Sequence, residues 1–318
     1  LKSRKSWKTG RKYWLEREPA RTALRKQLPE QCNKTEKERK RRKERNDMNK
    51  ASANIRFYKN ENGPVIGVTV RPVIEKDGLY FRDLTGDGRL APYKDWRNTP
   101  AVRAASLAAE LSADEKIGML FVNSWKMGIY QEDRAKVDES GLLNEEIVEQ
   151  DESIFNVEKT YGTTYTLKEM GIRHFILRQN PGPGELADWI NQLNMVAEGT
   201  GHALPVMVLS NSRNEHGEIV FGMNDAAGVF AAWPGTLGIA AAVRGSGPEL
   251  IDSFAECIRR EWDAVGMKKG YMYMADVMTD PRWQRSYGTF GEDPGLVCTI
   301  MERLIPGIQG SSRGVTRD

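Results

Sequence analysis

Cysteine and histidine are scarce in this chain, three of each in 318 residues, and the scarcity excludes a common kind of site. Cys32, Cys257 and Cys298 have no metal-ligand spacing, and His174, His202 and His216 are too scattered to make a metal cluster. Cys257 and Cys298 fall in helical patterns and are expected to be buried thiols. Long apolar runs are also missing. No stretch of 18 apolar residues occurs, so no membrane-spanning segment is predicted. The chain opens on Leu rather than Met and shows no apolar signal-peptide core near its start, which reads as an incomplete or upstream-extended frame. The rest of the composition, 39% hydrophobic and 29% charged, is that of a globular chain on the polar side, long enough for one large α/β domain or two smaller ones.

The net charge of +3 conceals a split. Residues 1–50 carry 19 Lys/Arg against 7 Asp/Glu, whereas the remainder carries 28 against 37. The densest part is Lys37 to Arg45 (KERKRRKER). Two readings stand: a basic arm for nucleic acid or an anionic surface, and a disordered extension upstream of a start at Met48. Residues 51–99 read as a small N-terminal segment, in which 52–82 alternate apolar and polar side chains and predict one or two short strands. Within them Asp83-Leu-Thr-Gly-Asp-Gly resembles the opening of a calcium loop, with Asp83, Thr85 and Asp87 at positions 1, 3 and 5 and Gly88 at 6. Position 12 is Lys94 where such a loop needs a bidentate Glu, so a turn sharing the same geometry competes with a structural Ca2+.

From residue 100 to 318, strand patterns alternate with helical ones of 12–18 residues, the order of βαβ units around a parallel sheet. Ser112 with Glu115 predicts a capping box opening a helix through Ile117, Leu120 and Phe121, and Ser246 with Glu249 predicts a second. Residues 124–168 are polar and acidic with little periodicity, as expected of a surface insertion. Strands are predicted over 171–177, 204–209 and 271–277, and a helix over 296–304. Leu186, Trp189, Ile190, Leu193 and Ala197 repeat at helical spacing, which makes Trp189 a core residue.

Chemistry concentrates just after the third of those strands, in Asp280-Pro-Arg-Trp-Gln-Arg-Ser-Tyr-Gly-Thr-Phe-Gly-Glu-Asp-Pro294. Arginine offers a planar fork of donors, and Trp283 or Tyr287 a flat apolar face, a combination suited to a sugar ring. Asp293-Pro294 also reads as a helix N-cap followed by proline at the first helical position. The run resembles the DPRWGR-x-x-E-x-x-GEDP signature of glycoside hydrolase family 3, the β-glucosidase and β-xylosidase family. Asp83–Arg97, Leu111–Gly118, Gly171–Asn180 and Leu204–His216 agree with it, so the resemblance covers about three quarters of the chain. Gln284 stands where the signature has Gly, and Gly288 where it has a Glu that braces the site.

The resemblance implies an incomplete TIM-type (β/α)8 barrel, with residues 100–318 as the N-terminal part of the family's barrel domain. It implies retaining hydrolysis of β-linked glucosides or xylosides from the non-reducing end, with an oligosaccharide or glycoside as partner and no cofactor beyond the Ca2+ question. The nucleophilic Asp and the acid/base Glu are expected beyond Asp318, so no catalytic residue is assigned within the chain. What remains is the sugar-binding half. Arg285 matches the signature arginine that contacts glycosyl hydroxyls, and Asn211 stands where the family has an Asp that grips the distal hydroxyls. Arg213, Asp280 and Tyr287 complete the expected substrate-binding set, with His216 following Arg213 in the same loop. A non-catalytic carbohydrate-binding relative is the alternative, since Asn211 and Gly288 depart from the pattern. Secretion or a periplasmic location fits the family.

Overall fold

The computed structural model describes residues 55–125, 127–149, 159–179, 181–211, 214 and 230–310. Two antiparallel ribbons come first, where the sequence predicted one or two strands. β1 (Arg56–Tyr58) pairs with β2 (Ile66–Val68), and β3 (Val73–Lys76) pairs with β4 (Leu79–Arg82). The second ribbon turns through Asp77 and Gly78, both at positive φ (54° and 74°), the two-residue turn that Asp-Gly favours because it follows the twist of the strands. Asn60 clamps the ribbons together: its Nδ2 donates to the Pro64 and Tyr80 carbonyls and its Oδ1 accepts the Tyr80 N–H.

Ahead of the main sheet, α1 (Pro100–Glu110) starts at the Thr99 cap with proline at its first position. The predicted Ser112–Glu115 capping box opens α2 (Ala113–Gly118). That helix is shorter than its pattern implied. It stops at Gly118, whose Cβ would meet the backbone of Met170 and Gly171 at 2.5–2.6 Å, and Leu120 and Phe121 are exposed rather than packed.

Four parallel strands follow: β5 (Val122–Trp125), β6 (His174–Leu177), β7 (Met207–Ser210) and β8 (Lys269–Gly270). They lie side by side in sequence order, with none of the order reversal that marks a doubly wound sheet. Parallel neighbours need crossovers, and helices supply them. α3 (Thr163–Lys168) precedes β6 and α4 (Pro183–Glu198) precedes β7. α5 (Thr236–Ser246) and α6 (Leu250–Val265) precede β8, and α7 (Pro294–Gln309) follows it. α3 packs on α4, α4 on α6, and α6 on both α5 and α7. The α6 stripe Ile251, Phe254, Ala255, Ile258, Trp262 and Val265 is buried at the 3–4 spacing that sets one helix face against a core. Gly307 lets α7 close on it, since a Cβ there would sit 2.5 Å from that of Ala255. Trp189 is fully buried, as its spacing predicts.

Several expectations are corrected. The described residues of 124–168 are not all at the surface: Met127, Leu142, Leu143, Thr163, Thr166 and Leu167 are buried. Met127 and Leu143 meet in an isolated antiparallel bridge, and Thr163, Thr166 and Leu167 lie on the short α3, pieces too brief to give a periodic signal. The Ser246–Glu249 box does not form, because Ser246 is spent as the last residue of α5 and Glu249 makes no side-chain cap bond to α6. The strand over 271–277 is not made either. β8 ends at Gly270, the Tyr271 N–H still donates to the Ser210 carbonyl, and Tyr271, Ala275 and Asp276 are exposed. Cys298 is exposed and Cys257 half-buried. Cys298 lies between Val297 and Ile300, which take the inner face of α7. No helix among the described residues is long and apolar enough to cross a membrane.

Candidate functional site

Parallel strands aim their carboxyl ends at one rim, where α/β folds gather polar side chains. β5 and β6 are joined there by Arg178, whose Nε donates to Ser124 Oγ at 2.8 Å, and by Gln179, whose Oε1 accepts the Met127 N–H. These two bracing residues were missed. The signal available was the abrupt change from apolar His-Phe-Ile-Leu to Arg-Gln-Asn within 174–180. Asn211 is the first residue beyond β7 and is half-buried. Arg213 and His216 lie outside the described residues.

The run that follows β8 folds as a chain of local turns. The Met278 N–H donates to the Gly291 carbonyl, closing residues 278–291 into a loop. Inside it, Trp283 N–H donates to Asp280 O, and Ser286 Oγ donates to the Asp280 and Trp283 carbonyls. Thr236 of α5 ties the loop to the body through its Oγ1 to the Tyr287 carbonyl at 2.7 Å. Asp293 caps α7 by accepting the Gly295 and Leu296 N–H groups, as the sequence predicts. Tyr273 links the run to the core, with ring centroids 5.5 Å from Phe254 and 5.9 Å from Phe290.

The two signature arginines differ in what they hold. Arg282 lies across Asp280, its Nε 3.0 Å from Oδ1 and its Nη2 2.5 Å from Oδ2. The side-chain bond from Arg282 and its backbone N–H together hold the Asp280 carboxyl below the usual carboxylate range. A carboxyl kept ionised in this way is badly placed to act as a proton donor. Arg285 is exposed, and its side chain makes no hydrogen bond or ion pair among the described residues. Trp283 and Tyr287, two residues to either side in sequence, are 38% and 39% exposed. The loop therefore offers one committed guanidinium, one open one and two accessible rings. Gly288 has a packing counterpart: a Cβ there would come 3.0 Å from Met274 Sδ, so a longer side chain requires Met274 to yield. Among the described residues, no hydrogen bond joins Asn211 to residues 280–293.

The calcium-like turn lies in the N-terminal ribbon region. Its three predicted ligands converge on a cation of the chain itself. Lys94 Nζ lies 2.7 Å from Asp83 Oδ1, 2.6 Å from Thr85 Oγ1 and 2.5 Å from Asp87 Oδ1. Those donors are thus already spent, and the set as it stands does not fit Ca2+, which takes 6–8 oxygen ligands.

Sequentially ordered parallel strands, with a polar loop at their carboxyl rim, define an α/β domain of the kind that carries its site on the loops after the strands. Residues 167–317 match the model of the glycosyl hydrolase family 3 N-terminal domain. The chain is 32% identical over 245 residues to a periplasmic β-glucosidase/β-xylosidase of Dickeya chrysanthemi, covering 77% of this chain and 34% of that protein. It is 30% identical over 223 residues to a probable β-glucosidase C of Aspergillus oryzae, covering 70% and 31%. A β-glucosidase structure from Erythrobacter marinus aligns with a TM-score of 0.47 at 23% identity, covering 69% of this chain and 24% of its own. The chain spans about a third of the length of the curated relatives it matches.

Proposed function

We propose that this chain provides the glycone-binding part of a retaining β-glycosidase acting on β-linked glucosides or xylosides. The observation that carries the reading is the division of labour between the arginines: Asp280 occupies Arg282, while Arg285 keeps its donors free beside Trp283 and Tyr287. An open guanidinium next to exposed rings matches the face and hydroxyls of a pyranose. Asn211 at the end of β7 is the second polar contact in this reading. It makes neutral hydrogen bonds where an aspartate would make charge-assisted ones, roughly twice as strong, and the binding is correspondingly weaker. The sheet is read as the first part of a (β/α)8 barrel, and the named relatives support β-glucosides as the substrate class and export as the destination.

Retaining hydrolysis needs two carboxyl groups about 5–5.5 Å apart, one a nucleophile and one a proton donor. In this reading neither belongs to residues 1–318. Asp280 is committed to Arg282, and Asp276 and Glu292 are exposed side chains just before and just after the loop. Assay of the 318-residue chain on aryl β-glucosides and β-xylosides tests the placement. The expected result is no turnover. Turnover abolished by Asp276→Asn, Asp280→Asn or Glu292→Gln would put the chemistry inside this chain and overturn it.

A further inference from the structure

Lys94 is the last of twelve residues beginning at Asp83, and a calcium loop of that length places its ligands at positions 1, 3, 5, 7, 9 and 12 around a glycine at 6. The backbone here follows that plan. Gly88, at position 6, has φ 71° and Gly86 has φ 74°, values open to glycine. Their N–H groups turn inward onto the Asp83 carboxylate at 2.7 and 3.0 Å. The oxygens of positions 1, 3 and 5 then face a common point, and Lys94 Nζ stands on it. An ammonium has three protons and no acceptor, and three oxygens receive them, one each.

Burial makes this arrangement consequential. The Lys94 side chain is 0% exposed and that of Asp83 3%, so neither charge can be left to water. Removing one partner of such a pair leaves the other buried and unpaired, which is far costlier than losing an exposed ion pair. Burial alone would lower the Lys94 pKa, yet the hydrogen bonds it donates to Asp83 and Asp87 outweigh that and raise the value, keeping the ammonium charged. The loop is also wired to its surroundings. Arg71 Nη1 donates to the Thr85 carbonyl, and the same guanidinium donates to the Glu198 and Thr200 carbonyls at the end of α4.

We propose that Asp83–Lys94 is a calcium-type loop whose cation is supplied by its own twelfth residue: Lys94 replaces the ion, makes the fold independent of metal, and is the single position separating this loop from a Ca2+ site. Putting glutamate at 94 would take the three charged side chains from two negative and one positive to three negative. It would also restore the bidentate ligand at position 12, while the Arg89 carbonyl already stands at position 7.

Thermal melting of the full chain in EGTA and in millimolar CaCl2, with calcium titration calorimetry, tests this on the parent, Lys94→Ala and Lys94→Glu. The parent is expected to melt at one temperature in both buffers and to give no binding heat. Lys94→Ala is expected to melt several degrees lower in EGTA. Lys94→Glu is expected to melt lower still in EGTA, to recover in calcium but not magnesium, and to bind one ion with a Kd of about 10⁻⁴–10⁻³ M, the range of extracellular calcium modules. Stoichiometric calcium binding by the parent, or a parent melting point that falls in EGTA, would overturn the proposal. So would a Lys94→Ala variant as stable as the parent, an outcome that decides the matter even if Lys94→Glu does not fold.

Discussion

At the scale of single residues, the outcome often turns on which partner takes a charge first. Glu115 shows this. It completes the α2 capping box by accepting the Ser112 N–H and also meets His202 Nδ1 at 2.7 Å. Burial pushes its carboxyl up, but the bonds from His202 and Ser112 outweigh that and hold it below the ordinary value of 4.5. A depressed carboxyl contributes stability that is present above the unfolded value and lost as pH falls through the folded one. Glu145 runs the other way. Burial raises it despite the Thr164 N–H and hydroxyl, so what it contributes is present at low pH and lost as pH rises through its folded value. Urea midpoints measured from pH 3 to 7 should therefore show a shallower acid limb for Glu115→Gln. Glu145→Gln should gain on the parent as pH rises. Parallel curves for all three proteins would show that neither carboxylate is perturbed.

Among the elements, legibility followed locality. Caps that depend on residues three apart were readable: Ser112–Glu115 and Asp293–Pro294 both stand as the sequence has them. So was the α4 core stripe through Trp189, because a helix repeats its inner face along the chain. Ser246–Glu249 has the same spacing and fails, since the residues before Ser246 form α5 and leave it no freedom to cap. Tyr271–Val277 has strand composition but leaves the ladder after the Tyr271 N–H bond to Ser210, and strands are made by their neighbours as much as by propensity. The loop after β8 was legible as one contiguous motif, residues 280–294, ending in the Asp293 cap that the structure shows. Arg178, Gln179 and Lys94 were not, because their roles depend on partners 54, 52 and up to 11 residues away. The Ser112 cap makes the point quantitative. Ser112→Ala removes the acceptor of the Glu115 N–H and should cost ~1 kcal/mol in urea unfolding. A change within error would show that Glu115 holds the α2 terminus without it.

At the scale of the molecule, the sheet formed by the described residues has two open edges. Among the described residues, β5 and β8 each pair along one edge only, and unpaired strand edges template association. Ile117, Leu120, Phe121 and Val122 are exposed in the segment that leads into β5, Leu120 to 82%. Exposed apolar residues in one short segment mark a contact surface. The 318-residue chain should accordingly self-associate with rising concentration in light scattering, and Leu120→Glu with Phe121→Glu should shift it toward monomer. A monomer at every concentration would mean that the edge is covered. The N-terminal ribbons are a separate matter. They are fixed to α4 by Glu198, which accepts the Thr69 and Arg71 N–H groups, and by the Lys94 loop beneath Arg71.

The central claim is that the loop after β8 binds a sugar through Arg285 and not through Arg282. Saturation-transfer NMR of methyl β-glucoside and methyl β-xyloside against the chain, Arg285→Ala and Arg282→Ala reads it directly. A hydrogen bond from a charged donor is worth ~1.5–3 kcal/mol, so Arg285→Ala should weaken binding by roughly tenfold or more. Arg282→Ala should leave affinity near that of the parent, because its guanidinium already belongs to Asp280. Equal signal from all three proteins, or loss confined to Arg282→Ala, would contradict the account.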